Sequence, residues 1–217
     1  MEGLKLIVVF LLMSLATLGN LIAQDAKALA LAEAVFHASG GESLATLRTL
    51  EFTFSVGKDG KLLMGAKHHW DLRAGTDTVA WMDRRATANV YAENTDADAQ
   101  EAYRRWVNDS YWLLAPFKLR DPGTKLRHLG EQLVDGRKYE VLELSFDSVG
   151  LTPGDKYNFY IDPATHLVRR WDYMPNADKK ISGTWDEYKD FNGLKLSTEH
   201  QFGDKRIYFT EIRVETE

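Results

Sequence analysis

"TLEFTFSV", residues 49–56, decides how the rest of the chain is read. Leu50, Phe52, Phe54 and Val56 fall on every second position, with Glu51, Thr53 and Ser55 between them. A period of two puts the four apolar side chains on one face of an extended strand and the polar ones on the other. "KDGK" (58–61) comes next as a hairpin signal. After it "LLMGAKHHWDL" (62–72) alternates so that Leu62, Met64, Ala66, His68, Trp70 and Leu72 share a face, and a further strand is expected around "TVAWMD" (78–83).

Upstream of this stretch the period is helical. "DAKALALAEAVFHASGG" (25–41) is alanine-rich, carries Leu29, Ala32, Val35 and Phe36 at helical spacing and stops at Gly40-Gly41. A short second helical piece is expected in "ESLATLRTL" (42–50). Downstream, "NTDADAQEAYRRWVNDSYWLLAPFKL" (94–119) reads as a long helix. Thr95 or Asp96 would cap it, acidic residues come early as the helix dipole prefers, and Asp121-Pro122-Gly123 ends the segment. Pro116 should end the helix proper, because it lacks an N–H and its ring clashes with the previous turn. "LLAPFKL" (113–119) is then expected as a non-helical apolar loop lying over a sheet.

From residue 124 onward the pattern is strands and tight turns. Leu142, Leu144 and Phe146 share a face in "KYEVLELSFDSV", Asp135-Gly136 and Asn192-Gly193 are hairpin signals, and Asp162-Pro163-Ala164-Thr165 joins two further strands. Successive strands joined by short turns make an antiparallel meander, and its apolar face must be covered. The expected fold is mainly β with helices (α+β). One curved antiparallel sheet forms an unclosed half-barrel, its concave face covered by the N-terminal helix and the 96–119 helix. There is no internal repeat or linker, so residues 24–217 read as a single domain.

The first residues read as an address. Lys5 precedes "LIVVFLLMSLATLGNLIA" (6–23), whose polar breaks and terminal Ala23 before Gln24 fit a secretory signal peptide over residues 1–23. Cleavage there leaves about 190 residues, enough for one core. The expected destination is the periplasm, as a soluble protein of the cell envelope. The sequence contains no cysteine, so neither disulfides nor a lipid anchor on Cys is expected. Lys and Arg are scattered through a chain of net charge −5, which argues against nucleic acid or a strongly anionic membrane as partner.

Candidate chemistry is sparse. His68 and His69 are neighbours in a strand and point to opposite faces, and no metal-binding His spacing occurs. His68, beside Trp70 on the apolar face, reads as a hydrogen-bonded core or cavity-wall histidine. No nucleophile elbow or phosphate loop is present, and nothing selects two of Asp71, Asp83, Glu140, Glu143 and Asp172 as a working pair. No enzyme activity, metal or cofactor is expected. Large aromatics are instead spread over many elements, and "WVNDSYWLLAPFKLRDPG" (106–123) concentrates them.

The strings "NDSYWLLAPFKLRDPG", "SFDSVGLTPGDKYNFYID" and "HLVRRWDYM", together with the order of elements, resemble a secreted branch of the periplasmic lipoprotein-carrier superfamily (LolA/LolB-like, outer-membrane lipoprotein-sorting proteins). The resemblance spans nearly the whole mature chain. It implies an unclosed barrel with an apolar cavity under helices that holds lipid acyl chains. The expected function is that of an exported monomeric carrier for a lipid or a lipidated protein's acyl chains. Phe52, Phe54, Trp70, Trp81, Tyr157, Phe159 and Trp171 would line the cavity, and Tyr111, Trp112, Leu114 and Phe117 would cover it. The alternative is a non-catalytic interaction or structural module of the envelope with a filled core and an envelope protein partner; an enzyme comes third.

Overall fold

The computed structural model describes residues 26–146, 154–176 and 178–217. The expected signal segment and residues 147–153, inside one of the strings above, lie outside the described residues. Helix α1 (26–38) buries Ala28, Leu31, Ala32 and Val35, which recur at helical spacing. It turns at Gly40, whose φ of 84° suits glycine, and a Cβ there would lie 1.8 Å from the Gly193 carbonyl oxygen. The second helical piece is shorter than expected: α2 is the single turn Gly41–Leu44, because Leu47 already enters the sheet.

Strands β1 (Leu47–Lys58), β2 (Lys61–Asp71), β3 (Thr76–Trp81) and β4 (Arg84–Asn89) form an antiparallel meander. The β1–β2 turn has positive φ at both Asp59 and Gly60, the geometry that two-residue hairpins favour. Strand β4 has no counterpart in the sequence reading. In "RRATAN" only Ala88 is buried, so no alternation marks it. It forms because the chain reverses at Met82-Asp83 and pairs back along β3, where the hydroxyls of Thr78 and Thr87 meet at 2.8 Å.

Helix α3 (Ala97–Leu114) starts at Asp96, whose carboxylate accepts from the N–H groups of Asp98 and Ala99. It ends just before Ala115 and Pro116, as the missing N–H requires. The loop expected beyond Pro116 is instead helical. Phe117–Arg120 winds one 3₁₀ turn and buries Phe117 and Leu119, because a proline-started tight turn keeps both apolar residues on the core side.

The chain then runs through β5 (Thr124–Val134), β6 (Arg137–Phe146), β7 (Lys156–Ile161), β8 (Val168–Asn176), β9 (Lys179–Thr184), β10 (Asp186–Phe191), β11 (Leu194–Phe202) and β12 (Lys205–Thr216). The expected single curled sheet is two hydrogen-bonded sheets, ordered β10-β11-β12-β1-β2-β3-β4 and β5-β6-β7-β8-β9. The switch occurs at buried Trp185. Its N–H still bonds the Arg169 carbonyl at 2.9 Å, while Asp186 onward pairs with β11. The seam is held by the Gln201 N–H donating to the Thr184 hydroxyl and by Phe202 lying over Gly183, where a Cβ would sit 2.5 Å from the ring. The two sheets make an open, unclosed barrel, and α3 joins β4 to β5, the outer strands of the two sheets.

Two aromatic-rich clusters fill the interior. Under α1, Leu142, Leu144, Phe159 and Ile161 meet the helix. Under the end of α3, Leu50, Phe52 and Phe54 meet Leu113, Leu114 and Phe117. Burying one such side chain is worth about 1.5–3 kcal/mol.

Candidate functional site

Helix α3 has two inward flanks, and they differ. On the flank toward the first sheet the space is filled. Ala102, Trp106, Asp109 and Leu113 succeed one another at helical spacing, so Asp109 sits in the middle of an apolar stripe. It meets His68, which stacks on Phe52 with ring centroids 4.4 Å apart. His68 Nε2 lies 3.1 Å from Asp109 Oδ2, and Nδ1 lies 2.7 Å from Asp77 Oδ2, all three side chains being buried. Burial pulls the His68 pKa down, but the hydrogen bonds and charges of Asp109 and Asp77 outweigh it and raise it above 6.5. The imidazole lies between the carboxylates and spends one nitrogen on each, so this is a bridge from β2 and β3 to α3. Among the described residues no group of His, Asp and Glu has the arrangement of a metal site.

On the flank toward the second sheet the space is open. A cleft of about 430 Å³ runs between α3 and β7–β8. Trp106, Val107, Ser110, Tyr111 and Trp112 line it from the helix; Tyr157, Trp171 and Tyr173 line it from the sheet, with Phe146 and Asp155 beside them. Tyr157 stacks on Trp171 and on Tyr173, each at 5.1 Å between centroids, so the floor is a row of nearly parallel rings. Trp112 packs edge-on against Trp171 at 4.3 Å and closes the inner end.

The polar groups around this floor are few. The Tyr173 hydroxyl donates to Asp155 at 2.9 Å. Lys118 and Asp121, at the rim, pair with each other at 3.0 Å. The Tyr111 hydroxyl and the indole N–H groups of Trp106 and Trp171 are buried and have no hydrogen-bond partner. An unmade bond of this kind costs about 1–3 kcal/mol. Burial first, then the electrostatic influence of Tyr157 and of the Asp121 and Asp155 carboxylates, pushes the Tyr111 phenol well above its ordinary range. Burial and Asp155 likewise raise Tyr157, and lift Tyr173 to about 12.

Of the residues singled out from sequence, Tyr111, Trp112, Tyr157 and Trp171 come together in this cleft. Phe52, Phe54, Trp70, Leu114 and Phe117 pack in the cluster under the other flank of α3. Trp81 packs with Ala66, Val79, Ala88 and Ala102, and Phe159 lies in the cluster that includes α1. Trp106, Phe146, Asp155 and Tyr173 were missed. Two of them carried a signal: Tyr173 shares the strand face of Trp171, and Trp106, at the border between the two flanks, lies one helical turn before Ser110.

No protein-family model matches the sequence, and no match is found among curated proteins. Solved structures match in fold. A DUF1329 family protein from Desulfovibrio piger aligns with a TM-score of 0.50 at 13% identity, over 87% of this chain and 93% of that one. A domain described as an outer-membrane lipoprotein-sorting protein, from Vibrio parahaemolyticus, also gives 0.50, at 11% identity over 88% and 94%. These two give the fold, which is LolA/LolB-like. A LolA superfamily protein from Nitrosomonas europaea aligns with a TM-score of 0.49 at 8% identity, over 86% and 94%. No helix among the described residues is long and apolar enough to cross a membrane.

Proposed function

We propose that this chain is an exported carrier that holds the acyl chain of a lipid or lipidated protein in the cleft between α3 and β7–β8. The observation that carries this reading is the aromatic-floored space of about 430 Å³ itself, which falls within the range of about 300–1,000 Å³ typical of ligand pockets. An acyl chain burying a dozen methylenes gains on the order of 10 kcal/mol before ordering costs. The likeness to a lipoprotein-sorting domain supports the same reading. So does the polar set around the floor: Ser110, Asp121 and Asp155 line the cleft without a histidine among the lining residues to serve one of them as base. We read the site as one that binds rather than transforms, on a monomer delivered to the periplasm by residues 1–23.

The test uses the full mature chain and a lipophilic fluorescent probe, 1-N-phenylnaphthylamine. The probe should bind one per chain and be displaced by decanoyl compounds. Val107→Trp, which adds bulk at a half-buried lining position, should abolish probe binding while thermal unfolding stays cooperative. Unaltered probe binding in folded Val107→Trp, or absence of binding in the parent chain, overturns the reading.

A further inference from the structure

Resting on that reading, we infer that Trp112 sets the length of acyl chain the cleft accepts, a single chain of on the order of a dozen carbons. The volume gives the scale. A methylene takes up roughly the space of a water molecule, about 30 Å³, so a cleft of about 430 Å³ holds on the order of a dozen of them and no second chain of that length. The aromatic row shows where the limit falls. Rings follow one another along it from Tyr173 to Tyr157, Trp171 and Trp185, each centroid 5.1 Å from the next. The first three line the cleft, whereas Trp185 is fully buried and is not among the lining residues.

Trp112 makes that difference. Its indole stands edge-on to Trp171 at 4.3 Å and stacks with Trp185 at 6.3 Å, the two planes 21° apart. Away from the cleft it meets Phe202 at 4.8 Å and His200 at 5.8 Å, both at the seam between the sheets. Trp112 itself is only half-buried and lines the cleft, so part of its ring faces the open volume. The indole is therefore a partition across one continuous row of rings, with three on the open side and Trp185 sealed behind it. A flexible chain lying along the floor gains about fourfold in affinity with each methylene it buries. Once its end meets the indole, further carbons stay in water at the mouth and add nothing. Phe202 and His200 fill the space behind the partition, so shortening Trp112 opens only the volume of its own side chain.

The experiment displaces 1-N-phenylnaphthylamine from the mature chain with single-chain glycerophosphocholines, from octanoyl to hexadecanoyl in steps of two carbons, each kept below its micelle threshold. In the parent chain affinity should rise about fifteenfold per step up to dodecanoyl and then level off. Trp112→Ala should carry the rise about four carbons further and Trp112→Phe about two, as the side-chain volume removed becomes available. Phe146→Ala takes bulk from beside Tyr157, away from the partition, and should leave the limit at dodecanoyl. If Trp112→Ala does not unfold cooperatively, the milder Trp112→Phe decides. A rise that continues to hexadecanoyl in the parent chain, a limit that stays at dodecanoyl in folded Trp112→Phe, or one that Phe146→Ala moves equally overturns the inference and leaves the carrier reading in place. Failure of every chain length to displace the probe, or of the probe to bind, overturns the carrier reading itself.

Discussion

The two flanks of α3 are made of the same kinds of residue and do opposite things. Toward the first sheet, Leu113 and Leu114 interlock with Leu50, Phe52 and Phe54, and His68 is bonded at both ring nitrogens. Toward the second sheet, Tyr111, Tyr157, Trp171 and Tyr173 stand around open volume. Unpartnered polar atoms occur on both flanks: Asp77 Oδ1 and the Trp70 indole on the packed one, the Tyr111 hydroxyl on the open one. An orphaned polar atom therefore does not by itself mark a site. On either flank these atoms are closed off by their neighbours and are a fixed cost of the fold.

The sharpest way to break this comparison is to cut the bridge on the packed flank. His68→Leu leaves Asp77 and Asp109 facing each other in the core without the group between them. Breaking a buried charged network from one side costs about 3–5 kcal/mol, read as a lower midpoint in urea near neutral pH. A loss below about 1 kcal/mol, the range of exposed pairs, would show that α3 is not fastened there.

That bridge also shows what the sequence could and could not convey. The hairpin turns at Asp59-Gly60, Asp135-Gly136 and Asn192-Gly193 were legible because positive φ at both central positions restricts the residues allowed. The cap at Asp96 and the stop at Pro116 were legible because each concerns local backbone donors. The bridge joins positions 68, 77 and 109 from three elements, and only packing brings them together. A trace of it was visible, since Asp77 alternates with buried Val79 and Trp81, and Asp109 interrupts an apolar helical stripe. The partner switch at Trp185 left no local mark. The cleft was half legible for the same reason: an aromatic residue looks alike in sequence whether it fills a core or borders a void, which is why Phe52 and Tyr157 were grouped together.

Acid and base separate His68 from His200, the two histidines with no exposed surface. His200, at the seam, lies 4.1 Å from the Trp185 ring and shares the aromatic surround of Trp112. Burial lowers its pKa to about 3, its Nδ1 donating to the Thr184 carbonyl at 3.3 Å. Its folded pKa lies below the unfolded value of 6.5, so its contribution to stability is full above that pH and is lost as pH falls toward 3. For His68 the folded pKa lies above 6.5, so its contribution is full below that pH and is lost as pH rises through the folded value. His200→Phe should therefore spare about 1.5 kcal/mol of the stability lost between about pH 6.5 and about pH 5. His68→Leu should instead flatten the profile on the alkaline side. Urea titrations at acid, neutral and alkaline pH read both, and profiles displaced by the same amount at every pH would refute the assignment.

Asp96→Ala acts on both flanks together, because it frees the start of the helix that they share. Removing the two cap bonds should cost about 1 kcal/mol and speed exchange of the Asp98 and Ala99 amides, with the His68 bridge about three turns further on left intact. Loss of exchange protection along the whole helix instead would show α3 to be one marginal unit rather than a rod fastened at its middle.

The smallest expected effect is the one that best separates the flanks. Tyr111→Phe removes a buried hydroxyl that bonds to nothing in the protein and keeps the ring that packs against Tyr157 and Trp171. Where a polar group has a partner, its deletion typically costs about 0.5–1.5 kcal/mol. Here the unliganded protein should stay within about 0.5 kcal/mol of the parent or gain slightly, since an unmet donor is taken out of the interior. Equilibrium unfolding without ligand checks this. A loss above about 1 kcal/mol would mean that the hydroxyl already has a bond worth keeping, through water or through the fold, and that the open flank is polar-satisfied like the packed one. A neutral result means that the ring alone, through its packing against Tyr157 and Trp171, accounts for Tyr111 in the unliganded fold.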